Sequence, residues 1–364
     1  MNGTVSPQEI LKFMTLSSEA KAYIIDVRSE CEFEEGHIPS TINIPILNNV
    51  ERAAVGTTFK KQGQSKAIDL GHELVGPYRE ARTRKWQNAL ISSNAVQKAV
   101  MCWRGGLRSR TAQTWLGESG TKVQTITGGY KALRAELLAA IQNLPPLIVL
   151  SGLTGSGKTK LLTELLFSKI DLESLANHRG SLFGGSLVSS QPRQASFENA
   201  LGLELLKHGG AGELVVEDES SRIGQINVPP ILKNTMAVSP VIFLDSPLEE
   251  RVKHIFGEYV MEPLENNISP AHLLTALESN LLRLQRRLGG LITSEILGEL
   301  RKGFSHENQN LENHFEWIKR LLTEHYDKAY QFAFDRQTRP ILFRGDHKSC
   351  LQFLNSMTSD YRKQ

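Results

Sequence analysis

Residues 152–159 read GLTGSGKT and match the pattern G-x-x-x-x-G-K-[ST] at every specified position. The apolar run LIVLSG at 147–152 leads into this loop, and a helix-forming stretch follows it. In such a unit the glycines let consecutive backbone N–H groups point into one concavity, and the helix dipole adds positive potential. The pattern therefore predicts an α/β fold with an anion cradle for this part of the chain.

The cradle is expected to bind a phosphate or diphosphate through Gly152, Gly155, Ser156, Gly157, Lys158 and Thr159. Lys158 adds a positive charge, and the Thr159 hydroxyl can ligate Mg²⁺. The strand-like run ELVVEDE at 213–219 ends in acids, so Glu217 or Asp218 is expected to complete a magnesium site. The alternative is a solvated strand end. The loop predicts phosphate binding without indicating which phosphate compound is bound.

A second loop that joins a strand to a helix is CWRGGLR at 102–108, which follows the apolar run AVM. A helix N terminus and the cations Arg104 and Arg108 are expected to favour the Cys102 thiolate over the thiol. A thiol of low pKa serves as a nucleophile and as a carrier of persulfide or perselenide. Cys102, Arg108 and Arg104 are therefore the candidate catalytic residues. The alternative is a buried structural cysteine, which is common at strand ends.

Length and composition fit a two-domain protein of the cytoplasm. A chain of 364 residues exceeds one ordinary core, and its apolar runs fall short of the roughly 20 residues of a membrane helix. The first residues lack the features of a secretory signal. Cys31, among glutamates in a loop, and Cys350, in a terminal helix, are expected to be structural. The net charge of +3 permits nucleic-acid binding without arguing for it.

Strand and helix patterns alternate along both halves of the chain, which predicts parallel sheets covered by helices. The expected strands are 23–28, 42–46, 99–102, 123–126, 147–152, 213–219, 240–246 and 340–346. The expected helical stretches are 7–14, 70–92, 109–116, a stretch that follows GGY (128–130) and ends at 142, and 264–335. NLPP at 143–146 breaks a helix and is expected to join the domains. We therefore expect an N-terminal domain at 1–143 and a P-loop NTPase-like domain with a helical extension at 147–364.

Basic residues interleaved with aromatic ones are candidate RNA contacts, because they suit phosphates and unstacked bases. One set comprises Arg79, Arg82, Arg84, Lys85 and Trp86, and the other comprises Arg104, Arg108 and Arg110 beside Trp103. The alternative is a solvated helix face with core tryptophans. Arg283, Arg286 and Arg287 lie on a leucine-rich stretch and are expected to form its exposed face.

These motifs support a family resemblance. The N-terminal half resembles the rhodanese family, because DVRSECEFEEGHIPSTINIP carries its Asp-Val-Arg and Gly-His-Ile-Pro signatures and Cys-x5-Arg matches its sulfurtransferase loop. Essentially the whole chain is similar to the tRNA 2-selenouridine synthase family. That similarity rests on CWRGGLRS, GHELVGPY (71–78), GLTGSGKT, HRGSLFG (178–184), QPRQASFEN (191–199) and VEDESSRIG (216–224).

The resemblance implies a tRNA-modifying transferase that replaces sulfur by selenium in wobble 2-thiouridine, with selenophosphate as donor. It also implies S-geranylation of the same sulfur from geranyl diphosphate as an associated step. Cys102 would handle the chalcogen and the P-loop would take the diphosphate, with Mg²⁺ as a candidate ion. tRNA and an enzyme that produces selenophosphate are the implied partners, and no membrane partner is expected.

Two other functions stay open on the residues alone. One is a P-loop kinase or an ATP-dependent tRNA thiolation enzyme, with a rhodanese domain that delivers persulfide. The other is a rhodanese module used for binding or regulation, with Cys102 incidental. ATP turnover stimulated by tRNA would favour the first, and a silent Cys102→Ser variant would favour the second.

Overall fold

The computed structural model describes residues 3–16, 22–166, 168–179, 190–208, 212–305, 311–334 and 338–361. Internal contacts divide the chain into two compact units. Unit one comprises Met1–Asn143 with Arg193–Gly209, and unit two comprises Leu144–Pro192 with Gly210–Gln364. In the predicted motif at 178–184, residues 180–184 lie outside the described ranges.

Within the described ranges the structure contains the eight predicted strands and four short ones that were not predicted, at Thr4–Val5, Lys169–Ile170, Arg222–Ile223 and Ile226–Asn227. In chain order the strands are β1 (Thr4–Val5), β2 (Ala22–Asp26), β3 (Thr41–Asn43), β4 (Gln97–Met101), β5 (Gln124–Ile126), β6 (Leu147–Ser151), β7 (Lys169–Ile170), β8 (Leu214–Glu217), β9 (Arg222–Ile223), β10 (Ile226–Asn227), β11 (Val241–Leu244) and β12 (Ile341–Gly345).

The α-helices lie between these strands and dominate the C-terminal part. They are α1 (Pro7–Thr15), α2 (Glu30–Glu34), α3 (Asn49–Gln62), α4 (Gln64–Val75), α5 (Arg79–Ile91), α6 (Leu107–Glu118), α7 (Gly129–Gln142), α8 (Lys158–Glu164), α9 (Leu172–Ala176), α10 (Gln194–Lys207), α11 (Pro230–Val238), α12 (Leu248–Phe256), α13 (Glu262–Glu265), α14 (Pro270–Leu288), α15 (Gly290–Gly303), α16 (Leu311–Leu321), α17 (Asp327–Phe334) and α18 (His347–Tyr361). A 3-10 turn spans Gly76–Tyr78, and π-helical turns span Gly257–Met261 and Leu322–Tyr326.

Unit one is built on a parallel sheet of order β1-β5-β4-β2-β3. Apolar side chains of its central strands are buried on both faces, as the continuous apolar runs require. Asp26 at the end of β2 pairs in register with Met101 at the end of β4. Because parallel strands end at the same edge, this register brings the residues after β2 close to Cys102.

Helix α10 belongs to unit one, although it follows the P-loop in the chain. It packs against α7, and the Asn199 side chain donates to the His37 carbonyl oxygen at 2.8 Å and accepts from Arg134 at 2.8 Å. A Cβ on Gly202 would lie 2.4 Å from the Leu137 carbonyl oxygen, so the two helix backbones approach closely. The sequence prediction kept all of 147–364 in one domain, whereas the structure packs this helix into unit one.

Unit two is built on a parallel sheet of order β12-β11-β6-β8-β7. Leu150 near the end of β6 pairs with Glu217 at the end of β8, which brings the acids of β8 to the base of the glycine-rich loop. Helices α12, α14, α15 and α16 bury a separate apolar cluster. No helix within the described ranges is both long and apolar enough to cross a membrane.

The predicted fold class of parallel-sheet α/β units is confirmed, with three local corrections. The strand predicted at 42–46 ends at Asn43, because Pro45 cannot donate to a sheet hydrogen bond. Helix α3 was not predicted, since its apolar residues are sparse; its signal is the capping box of Asn48 and Glu51. Cys31 lies in α2 and not in a loop.

Candidate active site

Cys102 is the first residue after β4 and is only 3% exposed. Its Sγ lies 3.3 Å from Ser109 Oγ in the first turns of α6. The Ser109 hydroxyl also lies 3.1 Å from the Gly106 carbonyl oxygen, so its proton can point to that oxygen or to the sulfur. The structure thus places a hydroxyl at the thiol that the sequence prediction did not include.

The Cys102 loop rests on the glycine pair that follows β5. Gly105 and Gly129 have φ values of +64° and +58°, which favour glycine. A Cβ on Gly129 would lie 2.2 Å from the Cys102 carbonyl oxygen, and one on Gly105 would lie 2.5 Å from the Ile126 carbonyl oxygen. The Tyr130 amide donates to the Cys102 carbonyl oxygen at 2.9 Å. The backbone of the Cys102 loop therefore packs directly against the backbone that follows β5, and neither Gly105 nor Gly129 leaves room for a side chain.

Arg108, the final residue of Cys-x5-Arg, forms a bidentate ion pair with Glu32 of α2. The two guanidinium nitrogens lie 2.5 and 3.0 Å from the carboxylate oxygens. Burial acts to lower the pKa of Arg108. The ion pair with Glu32 outweighs the effect of burial, and the Cys102 sulfur also acts to raise the pKa, so the pKa of Arg108 is raised. Burial acts to raise the pKa of Glu32, and Arg108 overcomes it, giving a pKa of about 2. The positive charge of Arg108 is therefore held beside the cysteine by an acid that was not predicted.

The Asp-Val-Arg signature forms a fully buried ion pair between Asp26 and Arg28, with 2.7 Å between the charged atoms. Arg28 also donates to the carbonyl oxygens of Glu32 and Gly36, at 3.0 and 2.9 Å. Its guanidinium lies 3.9 Å from the centre of the Tyr130 ring. Burial raises the pKa of Asp26 against the opposing effect of Arg28. These contacts tie β2, α2 and the first turn of α7 around the Cys102 loop.

The remaining predicted residues of this site lie farther out. Arg104 is exposed and forms no ion pair within the described part of the chain. Trp103 is 41% exposed and packs on Tyr130, with 5.3 Å between ring centres. Cys31 is exposed. Cys350 is buried, and burial raises the pKa of its thiol to about 11. Of the three cysteines, Cys102 therefore combines burial with a nearby cation.

Two side chains of α12 position the glycine-rich loop of unit two. Gly155 and Gly157 have φ values of +78° and +87°, as an anion-binding concavity of backbone N–H groups requires. Arg251 Nε donates to the Thr154 carbonyl oxygen and His254 Nδ1 donates to that of Gly155, each at 2.9 Å. These bonds keep two carbonyl oxygens, which would repel an anion, on the α12 side. The sequence prediction missed both side chains, because they follow the loop by nearly a hundred residues.

Two polar side chains of the loop are placed for a ligand. Lys158 Nζ donates to the Gly152 carbonyl oxygen at 3.2 Å. The Ser156 hydroxyl is buried and has no hydrogen-bond partner among the described residues. A Cβ on Gly152 would lie 2.7 Å from Ser156 Oγ and from the Leu244 carbonyl oxygen, so only glycine fits at the start of the loop. The predicted phosphate-binding residues are thus brought together in one concavity.

The structure separates the two acids proposed for magnesium. Thr159 Oγ1 donates to Glu217 Oε1 at 3.2 Å, and Glu217 Oε2 is buried without a hydrogen-bond partner in the described residues. Asp218 instead accepts two bonds from Arg339, at 3.1 and 2.7 Å, and one from Ser151 at 2.6 Å. Burial acts to raise the pKa of Asp218, but these partners lower it. The expectation of a magnesium ligand at Asp218 is corrected, and Glu217 keeps the suitable position.

Glu217 belongs to a group of acids that face Lys158. Burial raises the pKa of Glu217, and the neighbouring charges of Asp171 and Glu219 raise it further. The pKa of Glu173 is raised by burial and then by Glu217. Within the described ranges, no group of three or more His, Cys, Asp or Glu side chains is arranged to hold a metal ion. A magnesium site at Thr159 and Glu217 therefore stays a prediction.

Two of the proposed tRNA contacts are engaged within unit one. Trp86 is fully buried, and its Nε1 donates to the Ile44 carbonyl oxygen at 2.9 Å. It is a core residue and cannot stack on a base, which corrects the prediction for this side chain. Arg82 donates to both carboxylate oxygens of Glu51 at 2.7 Å, and the side chains of both residues are largely buried.

The other basic residues of this stretch reach the surface. Arg79 is exposed and pairs with Glu118, while Arg84 and Lys85 are exposed on α5. Arg110 is exposed on α6. The arginines predicted to form an exposed face of α14 are exposed: Arg283, Arg286 and Arg287. A contact with tRNA therefore stays a prediction for Arg79, Arg84 and Lys85, and it no longer includes an aromatic partner from α5.

The Glu32–Arg108 pair gives a test by pH. Glu32→Gln should lower the free energy of unfolding at neutral pH by about 1–3 kcal/mol, because it leaves a largely buried Arg108 unpaired. A lowered carboxylate pKa stabilises the fold above its ordinary value of 4.5, and that contribution is lost as pH falls towards 2. Denaturant unfolding of the variant should therefore depend less on pH between 4.5 and 2 than unfolding of the native chain.

The matched control is Glu34→Gln, which removes an exposed carboxylate from the same helix. Its unfolding curves should follow the native protein at each pH. Equal losses of stability in the two variants would show that the ion pair does not hold α2 against α6.

Matches to known proteins extend over both the Cys102 loop and the glycine-rich loop. The family model described as the tRNA 2-selenouridine synthase AAA domain matches residues 145–361, and a rhodanese-like domain matches residues 7–136. A tRNA 2-selenouridine synthase of Shewanella denitrificans is 38% identical over 361 residues, covering 95% of this chain and 97% of the relative. One of Sulfurovum sp. is 39% identical over 347 residues, covering 91% and 94%.

One solved structure matches at lower coverage. It is the N-terminal domain of a protein from Clostridium difficile 630 that is described as ATP/GTP binding. That domain is 32% identical, covers 37% of this chain and 99% of its own length, and has a TM-score of 0.33.

Proposed function

The chain belongs to the tRNA 2-selenouridine synthase family, and on that premise we propose that it is an enzyme that replaces the sulfur of wobble 2-thiouridine in tRNA by selenium from selenophosphate. The observation that carries the proposal is the pairing of two sites in one chain. One is the buried Cys102 thiol beside the fixed charge of Arg108, and the other is the complete cradle at 152–159. Relatives of this name match across both.

The cradle supports a first step in which the substrate sulfur is activated. The sulfur of 2-thiouridine attacks the first carbon of geranyl diphosphate, so a C–S bond forms, the C–O bond breaks, the N3 proton is lost and diphosphate leaves. The leaving diphosphate gains charge, which Lys158 and the backbone N–H groups of the loop stabilise. Thr159 and Glu217 would hold Mg²⁺, which when bound supplies further positive charge to the diphosphate.

The Cys102 loop supports the second step, in which selenium enters at C2. S-geranyl-2-thiouridine, selenophosphate and water give 2-selenouridine, geranylthiol and phosphate, which balances atoms and charge. Cys102 is the proposed chalcogen-handling group, and Arg108, held by Glu32, supplies a fixed positive charge in the same loop motif. Ser109 can donate a hydrogen bond to the Cys102 sulfur. Neither step requires ATP hydrolysis.

The proposed setting follows from these substrates. tRNA is the macromolecular partner, and an enzyme that produces selenophosphate must supply the donor. We place the reaction in the cytoplasm, where thiols stay reduced and a reactive Cys102 would not be consumed in disulfides. Brisk ATP hydrolysis stimulated by tRNA would instead support the kinase-like or ATP-dependent thiolation function.

Cys102→Ser should abolish selenium incorporation, by about 10³-fold or more, because a serine hydroxyl is a far weaker nucleophile than a cysteine sulfur and does not carry a second chalcogen. Mass spectrometry of wobble nucleosides, after incubation with thiolated tRNA, geranyl diphosphate and selenophosphate, measures the effect. The control is Cys31→Ser, which alters an exposed thiol and should leave selenation unchanged. Normal selenation by Cys102→Ser would contradict the assigned role.

Lys158→Ala should slow geranyl transfer by about 10²–10³-fold, because the departing diphosphate loses a cation in the transition state. Selenation of tRNA that already carries the geranyl group should be affected much less, since that step releases no diphosphate. Rates on thiolated and on pre-geranylated tRNA provide the comparison, with Lys160→Ala at an exposed position of the same helix as control. Equal loss of both rates would mean that one cradle serves both donors.

The double variant Arg84→Glu and Lys85→Glu should weaken tRNA binding and flatten its salt dependence, by about one unit of slope per lost phosphate contact. Fluorescence anisotropy at several salt concentrations measures both quantities. Lys12→Glu, at an exposed position of α1, is the control for a change of charge alone. A salt slope identical to that of the native protein would make this face of α5 a solvated surface.

A further inference from the structure

Unit one contains a cleft that neither proposed step uses. It has a volume of about 790 Å³ and opens between α3, α4 and the first turns of α6. That volume lies within the range of about 300–1,000 Å³ that is usual for small-molecule sites. The cleft adjoins the catalytic loop, because Leu107 and Arg108 both line it.

The interior of the cleft is aliphatic and aromatic. Its apolar lining residues include Ile46, Val55, Phe59, Ile68, Val75 and Leu107. Phe59 is 55% exposed and Leu107 is 51% exposed, so these two large apolar groups stand open to solvent at the cleft. Exposed apolar surface that is grouped in a concavity, and not scattered singly, is typical of a binding site.

The charged groups of the cleft are all basic. Arg52, Lys60, Arg108 and Arg110 contribute to its lining, and no acidic side chain does so among the described residues. Lys60 and Arg110 are exposed, whereas Arg108 is held by Glu32. An apolar concavity with a basic margin suits a ligand that combines a hydrocarbon chain with an anionic part.

We propose that this cleft holds the geranyl chain of the S-geranylated wobble nucleotide, with its basic residues contacting the adjoining phosphates. This inference rests on the proposed function, which forms that nucleotide as the product of the first step. The branched hydrocarbon chain supplies the apolar part, and the RNA backbone supplies the negative charge. The cleft would thereby keep the intermediate beside the Cys102 loop, because Arg108 belongs to both.

The assignment explains a motif that the two reaction steps leave unused. The segment GHELVGPY at 71–78 supplies Gly71, His72 and Val75 to the wall of the cleft. These residues lie on α4 of unit one. The cleft therefore gives a place to a motif for which neither reaction step has a use.

The test measures binding of two short anticodon-loop RNAs to the full-length protein by fluorescence anisotropy. One RNA carries S-geranyl-2-thiouridine and the other carries 2-thiouridine at the same position. The native protein should bind the geranylated RNA at least about tenfold tighter, since each buried methylene adds several-fold in affinity. Affinity should also rise from an S-methyl to an S-geranyl probe.

Phe59→Glu should abolish this preference and the dependence on chain length, while affinity for the 2-thiouridine RNA stays within about twofold. Because Phe59 is half exposed, the substitution is compatible with folding. Ile68→Glu, on α4, should act in the same way. Val50→Glu is the matched control, since Val50 lies on the same helix as Phe59, is 79% exposed and does not line the cleft.

A preference for geranylated RNA that survives in both cleft variants would overturn the inference, as would equal binding of the two RNAs by the native protein. Mass spectrometry of tRNA products from the native protein separates this failure from failure of the proposed function. If the native protein makes 2-selenouridine but the cleft variants keep the preference, the cleft assignment alone fails. If it makes neither modified nucleoside, the proposed function fails and the cleft assignment falls with it.

Discussion

The buried ion pair of Asp26 and Arg28 is the interaction on which the Cys102 site depends. Burying two charges is costly unless every polar atom finds a partner, and here the guanidinium also reaches two carbonyl oxygens and the face of Tyr130. Those contacts come from α2, from the turn that follows α2 and from the first turn of α7. The pair therefore fixes the position of α2, whose Glu32 in turn fixes Arg108. A single buried charge pair thus determines where the positive charge at the cysteine lies.

In unit two, by contrast, buried carboxyl groups lack compensating positive charge. The carboxyl groups of Glu217 and Glu173 are buried with too little positive charge nearby, so their protonated forms are favoured. A site of this kind gains stability when a cation or a bound ligand with its counterion enters it. The Asp26–Arg28 pair is complete without a ligand, whereas the acids around Lys158 are not. The first arrangement is suited to rigid support and the second to recognition of a charged substrate.

Both loops could be predicted from the sequence because each is a continuous segment with a recognisable pattern of glycines and functional residues. What could not be predicted depends on residues far apart in the chain. Arg339 lies 121 residues from Asp218 and removes it from the magnesium site, and Glu32 lies 76 residues from Arg108. The burial of Trp86 follows from packing against Trp115 and the Ile44 carbonyl, which no local pattern shows. The weak apolar pattern of α3 likewise concealed one wall of the cleft.

Helix α10 has a consequence for the order in which the protein can be made. Its residues complete the packing of α7, although the ribosome produces them only after the glycine-rich loop and β7. The rhodanese-like half therefore cannot finish folding as soon as it emerges, as an N-terminal domain usually does. The chain passes between the two units at Asn143, again before Arg193 and again after Gly209. A nascent chain that stops after Asn143 lacks the helix that covers α7, so unit one is complete only after the glycine-rich loop has been synthesised.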